Sequence, residues 1–529
     1  MYFWAYIFRI SSMKEFNKRF TKFYKKCHKW PGLIISFLLL YYSITGIFMN
    51  HRDVFSSIDV NRNLLPKSFN YTNWNNAALK GNLIINADSI LVYGNIGVWL
   101  TDSTLINYRN FNSGFPKGID NKKIFDIHYT STNQLYAATL FGLYTYNKQK
   151  QAWHKLNTED RNARFVAIES IGDTIFALTR SHLYKGADKG IYTELNKQQL
   201  HELPNYKNEV SLFKTTWQIH SGEILGLPGK LFVDLLGLIT LVLSLTGIVY
   251  FLFPNWIKKR KRNKKSVTTL VKTNRWSLKW HNYLGRWTYI ALLILFITGM
   301  FLRPPLLISI VSSKTKPIRY SHLDQPNPWH DKLRDFCYDT QEGIFILSTS
   351  EGTHYMFANE WLPRPFEVQP PVSVMGINTL EPFGNGAYLI ASFSGLYLWH
   401  PSHPDIYNYT KSELYKGKSS GRPVGDHKIT GVITNTDGSQ YMIDYDKGAL
   451  PLHHNKAFPP MPDKILKASP ISLWNLSLEI HTGRIFQDVL GMFYILIVPL
   501  SGLISALVVL SGYLLWRKRF RKKNNNTRK

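Results

Sequence analysis

The chain alternates between long apolar runs and polar segments that contain short alternating stretches. Four of the runs are about the length that crosses a bilayer, and they are Leu33–Met49, Leu231–Phe253, Tyr289–Ile310 and Val489–Trp516. This pattern predicts four membrane-spanning helices. A purely soluble protein is excluded, although only 44% of the 529 residues are hydrophobic.

Two polar segments, residues 52–215 and 312–470, are predicted to be β-rich. Each repeats a short apolar strand, a turn with glycine and an aromatic-rich strand, as in Ile90–Trp99, Leu135–Tyr144 and Ala387–Trp399. A spacing of roughly 40–50 residues is typical of propeller blades. Three such units in each segment could build one six-unit assembly or two small sheet domains. The predicted fold class is therefore a membrane α-helical protein with β-rich, propeller-like external domains.

The net charge of +29 raises the question of a nucleic-acid partner. Most of this charge lies in three basic blocks, residues 1–29, 254–280 and 516–529, and each block adjoins an apolar run. Positively charged residues mark the cytoplasmic ends of membrane helices. The charge therefore predicts contact with a lipid bilayer and no nucleic acid, with both termini on the cytoplasmic side of a bacterial inner membrane.

These features predict nine consecutive segments. They are a basic cytoplasmic N-terminus (1–30), a first membrane helix (31–51), a periplasmic β-rich domain (52–215), a second membrane helix (216–254), a basic cytoplasmic loop (255–280), a third membrane helix (281–311), a second periplasmic β-rich domain (312–470), a fourth membrane helix (471–516) and a basic cytoplasmic tail (517–529).

The membrane helices predict an internal duplication. His-x-x-x-Gly is followed after eleven residues by Ile-Thr-Gly-x-Phe in the first and third helices, beginning at His28 and His281. Ile-His-[Ser/Thr]-Gly recurs at Ile219–Gly222 and Ile480–Gly483 near the second and fourth helices. The chain is therefore expected to hold two copies of helix, external domain and helix in the same orientation.

Five histidines lie at the predicted membrane boundaries: His28, His281, His220, His481 and His51. The duplication makes His28 equivalent to His281 on the cytoplasmic side, and His220 equivalent to His481 on the outer side. Ionisable residues near a bilayer indicate a functional site, and haem iron commonly takes histidine imidazoles as its axial ligands. We therefore expect each pair to ligate haem iron. His51 is expected to replace a member of the outer pair or to bind a further haem. The alternative is that each histidine caps a helix end or lies at the headgroup level.

Two further sets of residues lie near these histidines. The glycines are expected to let helices approach closely in lipid, and they are Gly46, Gly247, Gly299 and Gly502. The arginines suit carboxylates such as haem propionates or the headgroup region, and they are Arg52, Arg286, Arg303 and Arg484.

The duplicated histidine and [Thr/Ser]-Gly motifs resemble those of the PepSY-associated transmembrane family of bacterial inner-membrane proteins. The resemblance is greatest to its siderophore-reductase branch. It implies two haem b groups on membrane histidines, and a haem-dependent oxidoreductase that passes electrons to a periplasmic ferric siderophore or other small iron chelate. No separate catalytic residue is predicted.

The electron donor must come from outside the chain, because the sequence has no dinucleotide fingerprint and its cytoplasmic segments are too short for a nucleotide-binding domain. The donor is expected to be a quinol or a separate reductase. Two other functions stay open at this point. One is an iron-chelate transporter or permease component, and the other is a non-redox scaffold that presents periplasmic binding domains.

Overall fold

A computed structural model describes residues 2–204, 206–373, 376–417 and 425–526, with side chains from residue 19 to residue 519 within those ranges. The chain divides into two compact units. The helical unit comprises Met1–Arg52, Asn208–Asp324 and Trp474–Lys529. The β unit comprises Asp53–Lys207 and Gln325–Leu473. Each unit draws on both halves of the sequence.

The described residues include long helices where the apolar runs predict them. The α-helices are α1 Tyr2–Asn50, α2 Leu212–Ser221, α3 Gly226–Arg262, α4 Thr268–Met300, α5 Asp463–Ala468, α6 Leu473–His481, α7 Gln487–Leu490 and α8 Ile497–Asn526. Four stretches are long and apolar enough to cross a membrane, and they are Arg19–Asn50, Glu223–Arg262, Thr268–Met300 and Arg484–Arg519. The prediction of four membrane helices is confirmed.

Helices α1, α3, α4 and α8 form a bundle in which α1 contacts α3 and α8, and α4 contacts the same two helices. Small polar residues such as Ser36, Thr240, Ser244 and Ser505 are buried between them, and large apolar residues such as Phe37 are exposed on the outside. Small side chains allow close helix approach in lipid. We call the end that holds the α3–α4 connection and the last turns of α8 the basic end.

Two of the predicted apolar runs extend past one end of the helix that forms from them. Helix α4 ends at Met300, because Pro304 and Pro305 lack the backbone N–H groups that would continue it. Helix α8 begins only at Ile497. Before Ile497, Gly483 and Gly491 adopt positive φ angles of 73° and 54°. These angles interrupt the helix there, because glycine enters this region without steric cost.

Within the described residues, the β unit contains six antiparallel sheets of three to five strands. The part before α2 supplies three of them: β2 Gly81–Asn86, β3 Ser89–Gly94, β4 Gly97–Thr101 and β5 Tyr108–Asn110; β6 Ile124–Tyr129, β7 Leu135–Thr139, β8 Gly142–Asn147 and β9 Ala152–Lys155; and β10 Phe165–Ile171, β11 Thr174–Thr179, β12 Leu183–Ala187 and β13 Asn196–Gln198.

The part after α4 supplies the other three: β16 Leu333–Asp339, β17 Ile344–Thr349, β18 Gly352–Phe357 and β19 Arg364–Pro365; β20 Ile377–Gly384, β21 Ala387–Ser392, β22 Gly395–Trp399, β23 Tyr407–Asn408 and β24 Glu413–Leu414; and β25 Ile429–Thr434, β26 Gln440–Asp444 and β27 Gly448–Leu452. Short strands also pair across the chain, β1 Asp59–Val60 with β28 Ile471–Ser472, and β14 Val210–Ser211 with β15 Lys314–Thr315.

Apolar side chains fill the space between each sheet and the next. The first strand of each sheet contacts the first strand of the following sheet, and β25 of the last sheet contacts β2 of the first. Val92 and Trp99 of the first sheet share a buried cluster with Ile433 and Ile443 of the last. The two segments predicted to be β-rich therefore pack as one compact unit, and two of the six described apolar clusters contain residues of both segments.

Candidate functional site

The helical bundle brings the equivalent histidines together in two facing pairs. The ring centroids of His28 and His281 lie 6.0 Å apart, and this basic-end pair joins α1 to α4. The ring centroids of His220 and His481 lie 6.2 Å apart, and this far pair joins α2 to α6. Both pairs match the equivalence that the sequence spacing predicts.

Every one of these imidazoles is held through its Nδ1 atom. His28 Nδ1 lies 2.9 Å from the carbonyl oxygen of Val508, and His281 Nδ1 lies 3.1 Å from that of Leu243. His220 Nδ1 is 3.0 Å from the carbonyl oxygen of Leu295. Because a carbonyl oxygen only accepts, Nδ1 carries the proton and Nε2 keeps its lone pair.

His481 completes the set with the same geometry. Its Nδ1 lies 3.0 Å from Thr45 Oγ1 and also bonds the backbone of Tyr42. A hydrogen bond at one ring nitrogen fixes the tautomer and the orientation of a metal-binding histidine. All four side chains are thus oriented with Nε2 available as a ligand atom.

A [Thr/Ser]-Gly dipeptide supports each imidazole from the neighbouring helix. The four dipeptides are Thr45-Gly46, Thr246-Gly247, Thr298-Gly299 and Ser511-Gly512. A Cβ atom on these glycines would lie 3.3, 3.4, 2.8 and 2.7 Å, respectively, from the Cε1 atom of the facing histidine. The backbone group that bonds each histidine Nδ1 belongs in every case to the residue four positions before the glycine. We call this arrangement the histidine cradle.

The cradle gives three of the predicted glycines a specific neighbour, since Gly46, Gly247 and Gly299 face imidazoles. Gly502 instead packs against α4, where a Cβ would meet Met300 and the backbone of Phe296. Gly512 takes the fourth cradle position and was missed by the sequence analysis. The signal that could have found it is Ser511-Gly512, which repeats the Thr-Gly dipeptide of the other three.

A cavity of about 110 Å³ adjoins the basic-end pair. Small residues among its lining, such as Gly32, Ser36 and Ser244, leave this room between the helices. Arg286 also lines the cavity, and its Nε atom is buried without a hydrogen-bond partner. An anionic group placed there would satisfy this donor.

His51 occupies a different environment from the two pairs. Its Nε2 atom lies 2.6 Å from Asp234 Oδ2, and Asn50 donates to Asp234 Oδ1 at 2.9 Å and to the carbonyl of Ser221 at 3.2 Å. This contact joins the end of α1 to α2 and α3. It gives His51 a bracing contact through Nε2, and the predicted place of His51 as a haem ligand stays a prediction.

The predicted arginines also have defined neighbours. The Arg52 guanidinium lies 3.7 Å from the ring centroid of Trp474. Arg484 Nε lies 3.1 Å from Glu479 Oε2. The Nε atom of Arg303 is buried without a hydrogen-bond partner, like that of Arg286. Arg286 and Arg303 are therefore the two of the four that keep an unused donor.

The donor set of each pair suits haem better than a metal ion held by protein alone. Within the described residues, no group of three or more His, Cys, Asp and Glu side chains is arranged to hold a metal ion. Haem iron takes only axial ligands from the protein. Metal–imidazole distances are about 2.0–2.1 Å in zinc sites. An ion bound between two Nε2 atoms at that distance would hold the ring centroids roughly 6 Å apart, as both pairs are.

These helices and the attached sheets define a multi-pass membrane protein with a β-rich unit. The family model described as the PepSY-associated TM region matches residues 1–253. That match confirms the resemblance drawn from the histidine motifs, and residues 1–253 are similar to the PepSY-associated TM family.

Similarity to known proteins outside the family model is remote. No curated protein matches the chain. The extracellular domain of a hybrid two-component system from B. thetaiotaomicron is 13% identical with a TM-score of 0.33, over 73% of this chain and 40% of that one.

Two other solved structures are at least as distant. The N-terminal domain of Nup159 is 8% identical with a TM-score of 0.28, over 74% of this chain and 98% of that one. PorZ of the type-IX secretion system of Porphyromonas gingivalis is 8% identical with a TM-score of 0.20, over 69% and 44% of the two chains. Similarities this low carry no argument about fold or function.

Proposed function

We propose that this protein is a membrane reductase that holds two haem b groups and conducts electrons across the bilayer. His28 and His281 would ligate one haem, and His220 and His481 the other. The observation that carries the proposal is the repeated histidine cradle. Two pairs of imidazoles face each other with Nδ1 bonded and Nε2 free, at a ring separation that leaves space for one metal ion.

The placement of the pairs suits transfer between the two ends of the bundle. Gly46 faces His481 and follows His28 by 18 residues, and Gly299 faces His220 and follows His281 by 18 residues. At 1.5 Å per residue the two pairs lie about 27 Å apart along the helix axis. Haem supplies one-electron chemistry when bound, so one group near each end would let electrons pass the apolar layer.

The protein residues around each pair have their own tasks. The backbone carbonyls hold the Nδ1 protons and so fix the imidazole planes. The cradle glycines let the rings approach the neighbouring helix, and the small residues of the cavity would face the macrocycle. Arg303 keeps an unused donor that suits a haem propionate.

The finer architecture belongs to the same proposal. We infer that the bundle is an internal duplication, because both copies use the same 18-residue spacing and the same cradle. We infer that the β unit is a six-bladed propeller, which the succession of contacts from β2 through β25 and back to β2 supports. The basic end would be cytoplasmic, in a bacterial inner membrane, as the positive-inside rule favours.

The acceptor that the family resemblance favours is a ferric siderophore or another small iron chelate on the periplasmic side. Reduction of Fe(III) to Fe(II) lowers the charge that holds hard oxygen ligands, so the chelate would release its iron. The donor would be a quinol or a separate reductase, since the chain has no nucleotide-binding motif.

The visible spectrum of the purified full-length protein tests the proposal. We expect a Soret band and low-spin α and β bands after reduction, and two haems per chain by quantitative extraction. The variants His28→Ala and His281→Ala should each remove one haem and leave the other. His51→Ala is the matched control, and it should keep both. A folded but colourless protein, expressed with ample haem supply, would refute the reductase and leave a transporter or a scaffold.

A further inference from the structure

A second cavity lies beside the one that adjoins the basic-end pair. It holds about 350 Å³ and is lined by Lys279, Trp280, Asn282, Tyr283, Arg286 and Trp516. Asn282, Arg286 and Trp516 line both cavities. We call the second cavity the side pocket. It lies between α4 and α8, and its shared walls place it next to the histidine pair.

The walls of the side pocket combine aromatic rings with cationic groups. The ring centroids of Trp280 and Tyr283 lie 5.8 Å apart in an edge-to-face arrangement. The Arg286 guanidinium lies 5.8 Å from the ring centroid of Tyr283 and 5.2 Å from that of Trp516. Rings of this kind hold a flat aromatic ligand, and guanidinium and ammonium groups bind its oxygen atoms.

Arg286 lines both cavities and carries a donor that a ligand oxygen in the side pocket would satisfy. Its Nε atom is buried and makes no hydrogen bond within the described structure. A buried donor without a partner costs roughly 1–3 kcal/mol, and a ligand oxygen would recover part of that cost. No acidic side chain is present among the residues that line the pocket.

We propose that the side pocket binds the head group of a membrane hydroquinone, which is the electron donor. This inference rests on the proposed haem reductase. Trp280 and Asn282 flank His281 in the sequence of α4, so a ring held between the pocket walls lies within about one helical turn of the histidine pair. Direct contact with the redox site favours a hydroquinone over a phospholipid, whose headgroup also suits basic pockets between membrane helices.

The reaction at this pocket is the two-electron oxidation of the ring. Both O–H bonds of the hydroquinone break and a quinone forms. Two one-electron acceptors are needed, and the ferric haems that the two histidine pairs would hold could each take one electron in turn, while the two protons would pass to water at the mouth of the pocket. The lining residues bind and orient the ring and do not act as the proton acceptor.

Photolabelling tests occupancy without depending on turnover. An azidoquinone is irradiated with the full-length protein in detergent, and the labelled peptide is mapped by mass spectrometry. We expect the label on the part of α4 that holds Trp280 and Tyr283. Excess decylubiquinone should abolish it, and an equal excess of phosphatidylglycerol should not. Protection by the phospholipid alone, or labelling elsewhere, would show a lipid site and overturn the proposal.

Reduction kinetics supply the second test. The haem-loaded protein is mixed anaerobically with duroquinol, and the α band is followed with time. Trp280→Ala should slow reduction at least tenfold, while Trp256→Ala, an exposed tryptophan of α3 outside the pocket, should reduce at the rate of the unmodified protein. Equal rates in the two variants would contradict the assignment.

Dithionite separates failure of this inference from failure of the reductase proposal. If every variant contains haem that dithionite reduces while duroquinol reduces none of them, the reductase stands and the hydroquinone pocket is wrong. If the unmodified protein contains no haem, the reductase itself is wrong.

Discussion

The substitution Gly512→Ala tests the histidine cradle most directly. The new Cβ would lie 2.7 Å from Cε1 and 3.1 Å from Nδ1 of His28. Real Cβ atoms essentially never approach closer than 3.0 Å, and ordinary contact begins at 3.4 Å. The imidazole must therefore move by about 0.3–0.7 Å, whereas metal sites tolerate deviations of about 0.2 Å in their ligand distances.

The effect on folding should be smaller than the effect on haem binding. Overpacking costs typically about 1–3 kcal/mol, while replacement of glycine by alanine within a helix returns about 1 kcal/mol. The two terms partly cancel, so we expect the variant to fold. It should lose the haem at the basic-end pair and keep the one at the far pair, which would halve the haem content.

The facing glycines provide a graded series with internal controls. At the same pair, Gly247→Ala places its Cβ at 3.4 Å from His281, so it should retain haem. Gly237→Ala meets Ile47 at 3.5 Å and the Ser43 carbonyl oxygen at 3.6 Å, and it controls for added bulk in the bundle. The assay is the pyridine haemochrome content per chain together with the reduced-minus-oxidised spectrum. Equal haem content in Gly512→Ala and Gly237→Ala would refute the cradle as a ligand-positioning device.

Two further predictions concern the β unit. Burial, and next the charge of Asp126, raise the pKa of Glu169 from 4.5 to about 8. The folded state therefore holds this proton more tightly than the unfolded state, and stability falls as the pH rises from about 4.5 to 8. Glu169→Gln should raise the melting temperature at pH 8 and leave it unchanged at pH 4. The expected gain in the free energy of unfolding is about 1–3 kcal/mol at pH 7, since each pKa unit is worth about 1.4 kcal/mol. An equal gain at pH 4 and pH 8 would contradict this. The Asn82 amide donates to the Thr434 carbonyl at 2.7 Å and accepts from the Thr434 N–H at 2.9 Å, which links the first sheet to the last. Asn82→Ala should cost about 1–3 kcal/mol in thermal melting because both backbone groups lose their partner, while the exposed Asn86→Ala should cost little, and equal losses would argue against this closure.

The sequence alone predicted the membrane helices and the residues of the candidate site. A bilayer requires about 20 apolar residues for each crossing, so the runs mark the spans without reference to any contact. The ends of those spans were less predictable. Pro304 and Gly491 end or interrupt helices inside otherwise apolar runs. Hydropathy alone does not predict these ends, because it contains no information on backbone geometry.

The equivalence of the histidines also followed from spacing, because His28 and His281 begin the same motif. What the spacing could not give was the partner of each ring nitrogen. Val508 lies 480 residues beyond His28, and only the packing of α1 against α8 brings its carbonyl to Nδ1. The same packing reveals Gly512, and it assigns His51 to Asp234.

The assembly of the sheets depended on tertiary structure in the same way. Alternating strands near Ile90 and Tyr441 predicted β structure, because each strand's side-chain pattern is local. Whether the two segments formed one domain or two rested on contacts between residues some 350 positions apart, such as Asn82 with Thr434. Local sequence records which face of an element is apolar, and only the folded chain decides what covers that face.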